Sequence, residues 1–318
     1  MRYLDPKNDL VFKKVFGHAN LLQSFLNALL PLASPIESLE YLPAEMVPEI
    51  PVLKHSIVDV RCRDQRGWQF IVEMQMLWTD SFKSRVLFNA SKAYIRQIDK
   101  NENYEALEPV FSLNLVNQNF EKDSAAFYHH YAIVHLQDSG KRLKGLEFVF
   151  VELPKFRPEK ILDQTMADLW LRFLTEIESE NGAVPSALLE NPFTRAAVEQ
   201  VQESAFTKTE LLAYDRYWDS IRKEISLIGG ARGEGLQEGL QKGEQIGLQK
   251  GEQIGLQKGE QIGLQKGEQI GLQKGEQIGL HKAKQALALA MKEKGLPLAD
   301  IAEITGLAVS DVAELTRE

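Results

Sequence analysis

The sequence predicts a mixed α/β domain followed by a helical extension. Three observations support this class: helical spacing of apolar residues near the start, two strand-like runs joined by a short turn, and later strand-like runs that alternate with helical segments. This order indicates a mixed sheet flanked by helices. With 44% hydrophobic and 26% charged residues, the chain has an ordinary globular composition and can build a sizeable core.

The first half of the domain is predicted to run helix, strand, strand, helix. Apolar residues recur every three or four positions over residues 9–30, and Pro31 ends this pattern. Residues 56–63 and 68–76 alternate with a period of two, which is typical of strands. Helical spacing returns over residues 81–98. We therefore expect a β-hairpin with a helix on either side of it in the sequence.

The second half of the domain is predicted to begin with strands and to end with helices. Residues 109–116 and 146–152 are short runs rich in Val, Phe and Leu, which indicates buried strands, and residues 130–136 suggest another. From Lys160 onward the spacing is helical, and the last helix of the domain covers residues 207–228.

Composition divides the chain into three zones, namely residues 1–230, 231–280 and 281–318. In the middle zone the octapeptide GLQKGEQI occurs five times in tandem, so that Gly falls at every fourth position. Each helical Gly costs about 1 kcal/mol relative to Ala. A period of four also exceeds 3.6, so a glycine stripe would drift about the axis and favour right-handed winding of associated helices. Two alternatives stay open for this zone: a helix that self-associates, or a flexible spacer.

The last zone, residues 281–318, resembles a helix-turn-helix. A helix at residues 298–304 is followed by the turn Thr305-Gly306-Leu307 and by a second helix from about Ser310. Ser310 or a residue near it is expected to cap that helix. This shape is often used to read DNA. However, residues 296–318 contain five acidic residues and one basic residue, and DNA phosphates would repel such a surface. We therefore expect a small packing or protein-contact unit.

Charge, cysteine content and hydropathy exclude several classes of protein. A net charge of -8 argues against a bulk nucleic-acid binder, so any DNA contact must come from a local basic patch. Cys62 is the only cysteine, which excludes an intrachain disulfide, and its place in a strand predicts a core position. No run approaches the ~20 apolar residues of a membrane span, and the first residues lack a signal-peptide pattern. We expect a cytoplasmic protein without membrane contact.

The predicted hairpin brings two carboxylates together. A turn at residues 64–67, with Gly67 in the left-handed conformation, pairs residue 64 with residue 68 and hence Asp59 with Glu73. Two such residues face each other with their Cβ atoms about 5 Å apart, and their carboxylates repel unless a cation lies between them. Mg²⁺ prefers such oxygen ligands. Gln75 falls on the same face, where it could orient an attacking water. The spacing therefore predicts a metal-dependent hydrolytic site at Asp59, Glu73 and Gln75.

The helix that follows the hairpin carries a predicted basic stripe. Arg85, Asn89, Lys92 and Arg96 are spaced by four, three and four residues, so they share one face. The apolar residues expected on the opposite side are Val86, Leu87, Ala90, Tyr94 and Ile98. A basic stripe beside a carboxylate pair is suited to binding DNA phosphates, although such stripes also occur as plain solvated faces.

Three blocks of the sequence resemble a known family. Asp59, the hairpin and Glu73-Met74-Gln75 look like the D…(D/E)-x-K signature of PD-(D/E)XK nucleases. The blocks KNDLVFKKVFG, DVRCRDQRGWQFIVEMQ and SRVLFNASKAYIRQI resemble the recombination-promoting nuclease (Rpn) and transposase family over residues 1–230. The resemblance implies a restriction-endonuclease-like core and metal-dependent DNA cleavage linked to recombination or mobile elements.

The same resemblance assigns roles to individual residues. It implies that Asp59 and Glu73 are metal ligands, that the main-chain carbonyl of Met74 is a third, and that Asp9 assists them. Gln75 stands where the superfamily usually has Lys, and family members commonly carry this Gln. The substitution removes a positive charge that would stabilise the attacking hydroxide or the phosphorane.

Two functional hypotheses follow from the sequence. The first is a Mg²⁺-dependent DNA endonuclease that hydrolyses phosphodiester bonds at Asp59 and Glu73. The alternative is a weakly active or inactive nuclease fold that serves as a self-assembling interaction protein, a homo-oligomer formed through the repeat and the C-terminal unit. Gln75 motivates the alternative because it lacks the charge of lysine.

Overall fold

A computed structural model describes residues 2–46, 56–99, 101–157, 165–177 and 183–315 of the chain. The chain divides into two compact units, Met1–Gly229 and Gly230–Glu318. Within the described residues, no helix combines the length and the apolar character that a membrane crossing requires. The candidate site lies in the first unit.

The first unit is built on a mixed sheet. Its strands in chain order are β1 (Leu39–Tyr41), β2 (Glu45–Met46), β3 (Ser56–Ile57), β4 (Val60–Asp64), β5 (Gln69–Gln75), β6 (Val110–Val116), β7 (Tyr128–His135) and β8 (Asp138–Glu152). Six of them form one sheet in the order β1-β4-β5-β6-β8-β7, while β2 and β3 form a separate pair. The neighbours β5, β6 and β8 are parallel, and the other pairs are antiparallel. The predicted mixed α/β class is confirmed.

Helices cover both faces of the sheet. The helices in the described residues, in chain order, are α1 (Asp9–Phe16), α2 (Ala19–Leu29), α3 (Phe82–Ile95), α4 (Met166–Glu176), α5 (Ser186–Glu190), α6 (Pro192–Gln200), α7 (Lys208–Glu293), α8 (Leu298–Thr305) and α9 (Val309–Glu314). Of these, α8, α9 and the part of α7 from Gly230 onward belong to the second unit and not to the sheet domain. On one face, Phe70 of β5 packs into a core that also holds Phe16 and Trp170. On the other face, Ile71 packs with Ala90 of α3. The face of β5 that carries Glu73 is therefore covered by a helix.

The helix predicted over residues 9–30 is in fact two helices. α1 ends at Phe16, and α2 begins at Ala19 after Gly17 and His18. A Cβ atom on Gly17 would lie 2.9 Å from the carbonyl oxygen of Lys13, so the chain turns at a residue without a side chain. Periodicity does not detect this break because apolar residues of both helices enter the same core.

The strand predicted over residues 56–63 is also divided. β3 pairs with β2, and β4 pairs with β1 and β5. Between them, the N–H of Val58 donates to the carbonyl of Ala44 at 3.1 Å, which draws the chain away from β5. Asp59 therefore lies in a bend directly before β4 and not inside a continuous strand.

The later elements agree with the prediction in kind and differ in extent. The run at 109–116 is β6, and α3 lies within residues 81–98. The strand predicted at 146–152 is only the buried end of β8, which begins at Asp138. Lys160, where helical spacing is predicted to begin, lies outside the described residues. The last predicted helix of this zone corresponds to the first part of α7.

In the second unit, the octapeptide repeat is helical throughout. Two alternatives were open for residues 231–280, and the structure has a helix there and not a flexible spacer. All these residues are exposed, and the repeat leucines and isoleucines between residues 240 and 280 are 51–69% exposed. The repeat thus presents uncovered apolar side chains along its length.

The C-terminal residues form a small helical unit. α8 and α9 pack Ile301 and Val312 against Ala288 of α7, and Gly306 ends α8 in the left-handed conformation at φ 65°. The predicted capping role of Ser310 is wrong. α9 begins one residue earlier than expected, its N-cap position is Ala308, and the Ser310 hydroxyl contacts Asp311 at 3.2 Å.

Candidate active site

The β4–β5 hairpin has the predicted register. The N–H of Asp64 donates to the carbonyl of Trp68 at 3.0 Å, and the ladder continues to the pair Val60↔Val72. Gly67 adopts φ 86°, the conformation predicted for this turn. The carboxylate of Asp64 fixes the turn by accepting from the N–H groups of Arg66 and Trp68 at 2.9 and 3.0 Å. This register directs the chain before β4 toward Glu73.

Asp59 occupies the place where the ladder would otherwise continue. Its Oδ2 accepts a 2.7 Å hydrogen bond from the N–H of Met74. In a continuous ladder this N–H would bind the main-chain carbonyl of Val58, but the chain at Val58 turns toward Ala44 instead. Burial raises the pKa of Asp59 to about 6, against the lowering effect of the Met74 N–H. The negative charges of Asp9 and Glu73 raise the pKa further, and Lys13 lowers it.

Glu73 lies beneath α3 with only 6% of its surface exposed. The side-chain amide of Asn89 donates to its Oε1 at 2.8 Å, and Arg85 lies 3.5 Å from its Oε2. Burial raises the pKa of Glu73, whereas the hydrogen bond from Asn89 and the charge of Arg85 act to lower it. Two carboxylates with raised pKa values thus meet at the open end of the hairpin.

Gln75 is held between the backbone and an arginine. Its Nε2 donates to the carbonyl of Leu77 at 2.5 Å, and its Oε1 accepts from Arg85 at 2.6 Å. The guanidinium of Arg85 therefore spans Gln75 and Glu73. A positive charge lies beside the position where related nucleases carry lysine, although it comes from α3.

Helix α1 adds a second charged pair, with Asp9 in its first turn and Lys13 one turn later. Lys13 lies 2.7 Å from Asp9 and 3.9 Å from Asp59, so it links the two carboxylates. Asn8 positions this turn as its N-cap, since its side chain accepts from the N–H groups of Leu10 and Val11. The predicted helper Asp9 is therefore near the site, at a position where Lys13 partly neutralises it.

Sequence reasoning did not identify Lys13 or Tyr217 as parts of this site. Lys13 follows Asp9 by one helical turn, which is a signal that the sequence does contain. Tyr217 comes from α7, and no local pattern points to it. Burial raises the pKa of Tyr217, and the charges of Asp9 and Asp59 raise it further.

The predicted DNA-binding stripe on α3 does not form one exposed surface. Asn89 is 3% exposed and hydrogen-bonds Glu73 and Ser56, so it is an internal residue of the site. Lys92 donates to the carbonyl of Met46 at 2.6 Å, whereas Arg96 is exposed. The prediction of a continuous stripe is wrong because β3 and β5 cover its middle. Conversely, Leu87 is expected on the apolar side and is 52% exposed.

The oxygen atoms at this site are of the kind that bind divalent cations, although the protein offers only a few of them. Among the described residues, no group of three or more His, Cys, Asp or Glu side chains is arranged to bind a metal. Asp59 and Glu73 contribute two carboxylates. Met74 lies beyond the last ladder pair of β4, and its carbonyl points to the same strand edge as the N–H that binds Asp59. Two carboxylates, one carbonyl and several waters suit Mg²⁺.

Comparison with known proteins assigns the family. The model of the PD-(D/E)XK nuclease family transposases matches residues 6–231, which include α1, the β4–β5 hairpin and α3. No curated protein and no solved structure matches the chain. Because the matched residues make up more than half of the chain and contain the whole carboxylate site, the chain belongs to the PD-(D/E)XK nuclease family transposases.

Proposed function

We propose that the chain is a divalent-metal-dependent DNA endonuclease that hydrolyses phosphodiester bonds, with a role in recombination or in the movement of mobile elements. The convergence of Asp59 and Glu73 at the open end of the hairpin carries this proposal. Family membership supports it, since PD-(D/E)XK nucleases use such a pair. A buried pair of carboxylates with raised pKa values has no evident structural benefit without a cation.

Asp59, Glu73 and the Met74 carbonyl would hold the cation. A bound divalent cation supplies an activated water and stabilises the negative charge that develops on the phosphate. The rest of the site is in place without it: the Met74 N–H fixes Asp59, and Asn89 fixes Glu73. These hydrogen bonds orient the carboxylates before the cation or the DNA arrives.

Arg85 and Gln75 complete the proposed chemistry. Gln75 orients the attacking water through its amide, since the Leu77 carbonyl and Arg85 restrict the rotation of that group. The side chain of Arg85 is 48% exposed, so its guanidinium can reach a phosphate oxygen while it stays close to Glu73. In this proposal Arg85 supplies the positive charge that lysine provides in related nucleases.

A cleavage assay on supercoiled plasmid tests the proposal. We expect nicking or linearisation by the full chain with Mg²⁺, none with EDTA, and losses on the order of a hundredfold or more in Asp59→Asn and Glu73→Gln. Glu40→Gln is a matched control, because Glu40 is exposed and pairs with Arg63 at 2.7 Å on the edge strand β1. Cleavage that persists in both site variants, or that needs no metal, would refute the assignment.

One observation favours a second function, self-assembly through the repeat. Its leucines and isoleucines are 51–69% exposed over five octads, more uncovered apolar surface than a solitary helix in water favours. We expect light scattering after size-exclusion chromatography to give a multiple of 36.0 kDa for the full chain. Replacing Leu248, Leu256 and Leu264 with Gln should reduce that mass. A monomer of the unsubstituted chain would rule out this assembly.

A further inference from the structure

The β7–β8 hairpin extends beyond the sheet that supports it. β8 pairs with β6 only from Leu146 to Glu152, and its earlier residues pair with β7 alone. Every residue from 135 to 144 is exposed. The outer part of the hairpin, residues 133–145, is therefore a two-stranded ribbon, and no other described strand pairs with its β8 half.

The ribbon leaves the domain at a defined place. Gly145 adopts φ 152°, and a Cβ atom there would lie 3.5 Å from the ring of Tyr94, so the base of the ribbon passes close to α3. Beyond this point the register shifts twice, between Ala132 and Val134 and again between Val134 and His135. Such irregularities increase strand twist and discourage edge-to-edge pairing with another sheet.

Positive charge is concentrated on this ribbon. Lys141, Arg142 and Lys144 lie within four residues, and Asp138 is the single acidic residue between positions 136 and 145. Lys141 pairs with Asp138 at 3.2 Å and stays 75% exposed. Across the described ranges of the chain, neither Arg142 nor Lys144 has an ion-pair partner. In a chain of net charge -8, this is a local surface of opposite sign.

We propose that the ribbon binds duplex DNA by entering the major groove within one helical turn of the cleavage site. That groove admits a two-stranded β-ribbon, and cations near the tip of the ribbon meet the phosphates on either side of it. This inference rests on the proposed nuclease function and adds a contact outside the carboxylate site. Arg142 faces Val134 across the ribbon and alternates with Leu143, so both faces of the ribbon are available to the groove walls.

The sheet register sets the span of the proposed contact. Glu73 lies level with Asn114, and Asn114 with Phe150, so Phe150 marks the level of the catalytic carboxylate on β8. Arg142 comes before Phe150 on β8, so, allowing for the register shifts, it lies roughly 20 Å back along the strand direction at ~3.3 Å per residue, toward the end of the sheet that carries the Asp64–Gly67 turn. That distance corresponds to about six base pairs of duplex. The ribbon would therefore contact the DNA within one helical turn of the scissile phosphate.

Binding of a labelled 30-base-pair duplex to the full chain in EDTA tests the proposal without cleavage. The ribbon variant Lys141→Ser/Arg142→Ser/Lys144→Ser is compared with Lys250→Ser/Lys258→Ser/Lys266→Ser, which removes three exposed lysines from the repeat. The ribbon variant can no longer neutralise three phosphates. Its negative slope of log affinity against log salt should therefore be shallower by about 2.7 than that of the unsubstituted chain. Between 50 and 200 mM salt, the unsubstituted chain should then lose about 40-fold more affinity than the ribbon variant. The repeat variant should keep the original slope.

Equal slopes in the two variants, or an unchanged slope in the ribbon variant, would overturn the inference. Leu136→Ser/Leu143→Ser keeps the cations and changes two leucines that are 90% and 68% exposed. We expect this variant to retain affinity within about twofold. If it loses DNA binding while the cation variant does not, the ribbon is an apolar contact surface and the proposal is wrong. Failure of the nuclease proposal would look different: the plasmid assay would show no cleavage, while DNA binding would still depend on the ribbon cations.

Discussion

At the residue scale, the site brings together two carboxylates whose negative charges oppose one another. Asp59 and Glu73 are each fixed by a hydrogen bond, yet burial raises the pKa of both. The chain thus keeps two carboxylates where their ionised forms are unfavourable. Such an arrangement reduces stability, and under the proposed function that loss is the cost of a site ready to bind a cation.

Replacing Asp59 with Asn should stabilise the metal-free protein near neutral pH. The folded pKa of Asp59 is raised from 3.8 to about 6, so the native state binds more protons than the unfolded state between these values. Stability therefore falls as pH rises from about 4 to about 6, and the full deficit persists above that range. Asn can still accept the Met74 N–H. Urea unfolding at pH 7.5 in EDTA should show a gain on the order of 2 kcal/mol that disappears at pH 4. A variant that is less stable at pH 7.5 would contradict this prediction.

Arg85 should matter more for catalysis than for folding. The side chain of Arg85 is 48% exposed and approaches the buried Glu73 only to 3.5 Å, so Arg85→Gln should change the free energy of unfolding by no more than about 1 kcal/mol. If the guanidinium stabilises the developing phosphate charge, the cleavage rate should fall on the order of a hundredfold. Arg172→Gln, which breaks a partly exposed pair with Glu176 on α4, is the control and should keep full activity. Equal rates for the two variants would remove Arg85 from the mechanism.

At the element scale, the hairpin turn sets the geometry of the site. Gly67 adopts φ 86°, and a Cβ atom there would approach Glu108 at 3.3 Å, so Gly67→Ala should destabilise the domain by about 1–2 kcal/mol. Gly140→Ala on the exposed ribbon is the control: a Cβ atom there would approach the side chain of Asp138 at the same 3.3 Å, but φ of Gly140 is not positive, so the effect on stability should be small. Thermal unfolding of the full chain compares the two variants. Equal stability of both would mean that the turn does not require a left-handed residue.

Local signals predicted the hairpin, and tertiary contacts decided what surrounds it. The Asp64–Gly67 turn fixed the register, because turn chemistry acts within a few residues. The burial of Asn89 was not predictable, since it depends on Ser56 and Glu73, which are distant in sequence. The division of strand 56–63 likewise depends on Ala44, which binds Val58 from outside the hairpin. Periodicity detects a face, but it does not tell which other element covers that face.

At the scale of the whole molecule, the chain joins a packed nuclease fold to a helix that has little packing of its own. The repeat places Gly at every fourth position, and no atom beyond the helix's own backbone lies within 4 Å of a Cβ added at any of these glycines. Helix stability there depends on backbone propensity and on exposed side chains. Weakly packed helices of this kind unfold at lower temperature than a core-stabilised domain. We therefore expect two melting steps.

Replacing five repeat glycines with Ala should shift only the first of these steps. Each substitution in a helix interior gains about 1 kcal/mol and meets no neighbouring atoms, so the set Gly243, Gly251, Gly259, Gly267 and Gly275 should add up to about 5 kcal/mol to helix stability. Far-ultraviolet circular dichroism at 222 nm should show the early step at a higher temperature and the later step unchanged. Gly295→Ala is a control with the opposite expected effect: Gly295 follows α7 with φ 79°, a conformation that disfavours a side chain, so this substitution should lower helix stability. If the five substitutions leave the early step where it was, the repeat does not owe its marginal stability to glycine, and association with a second copy becomes the better explanation for its helix.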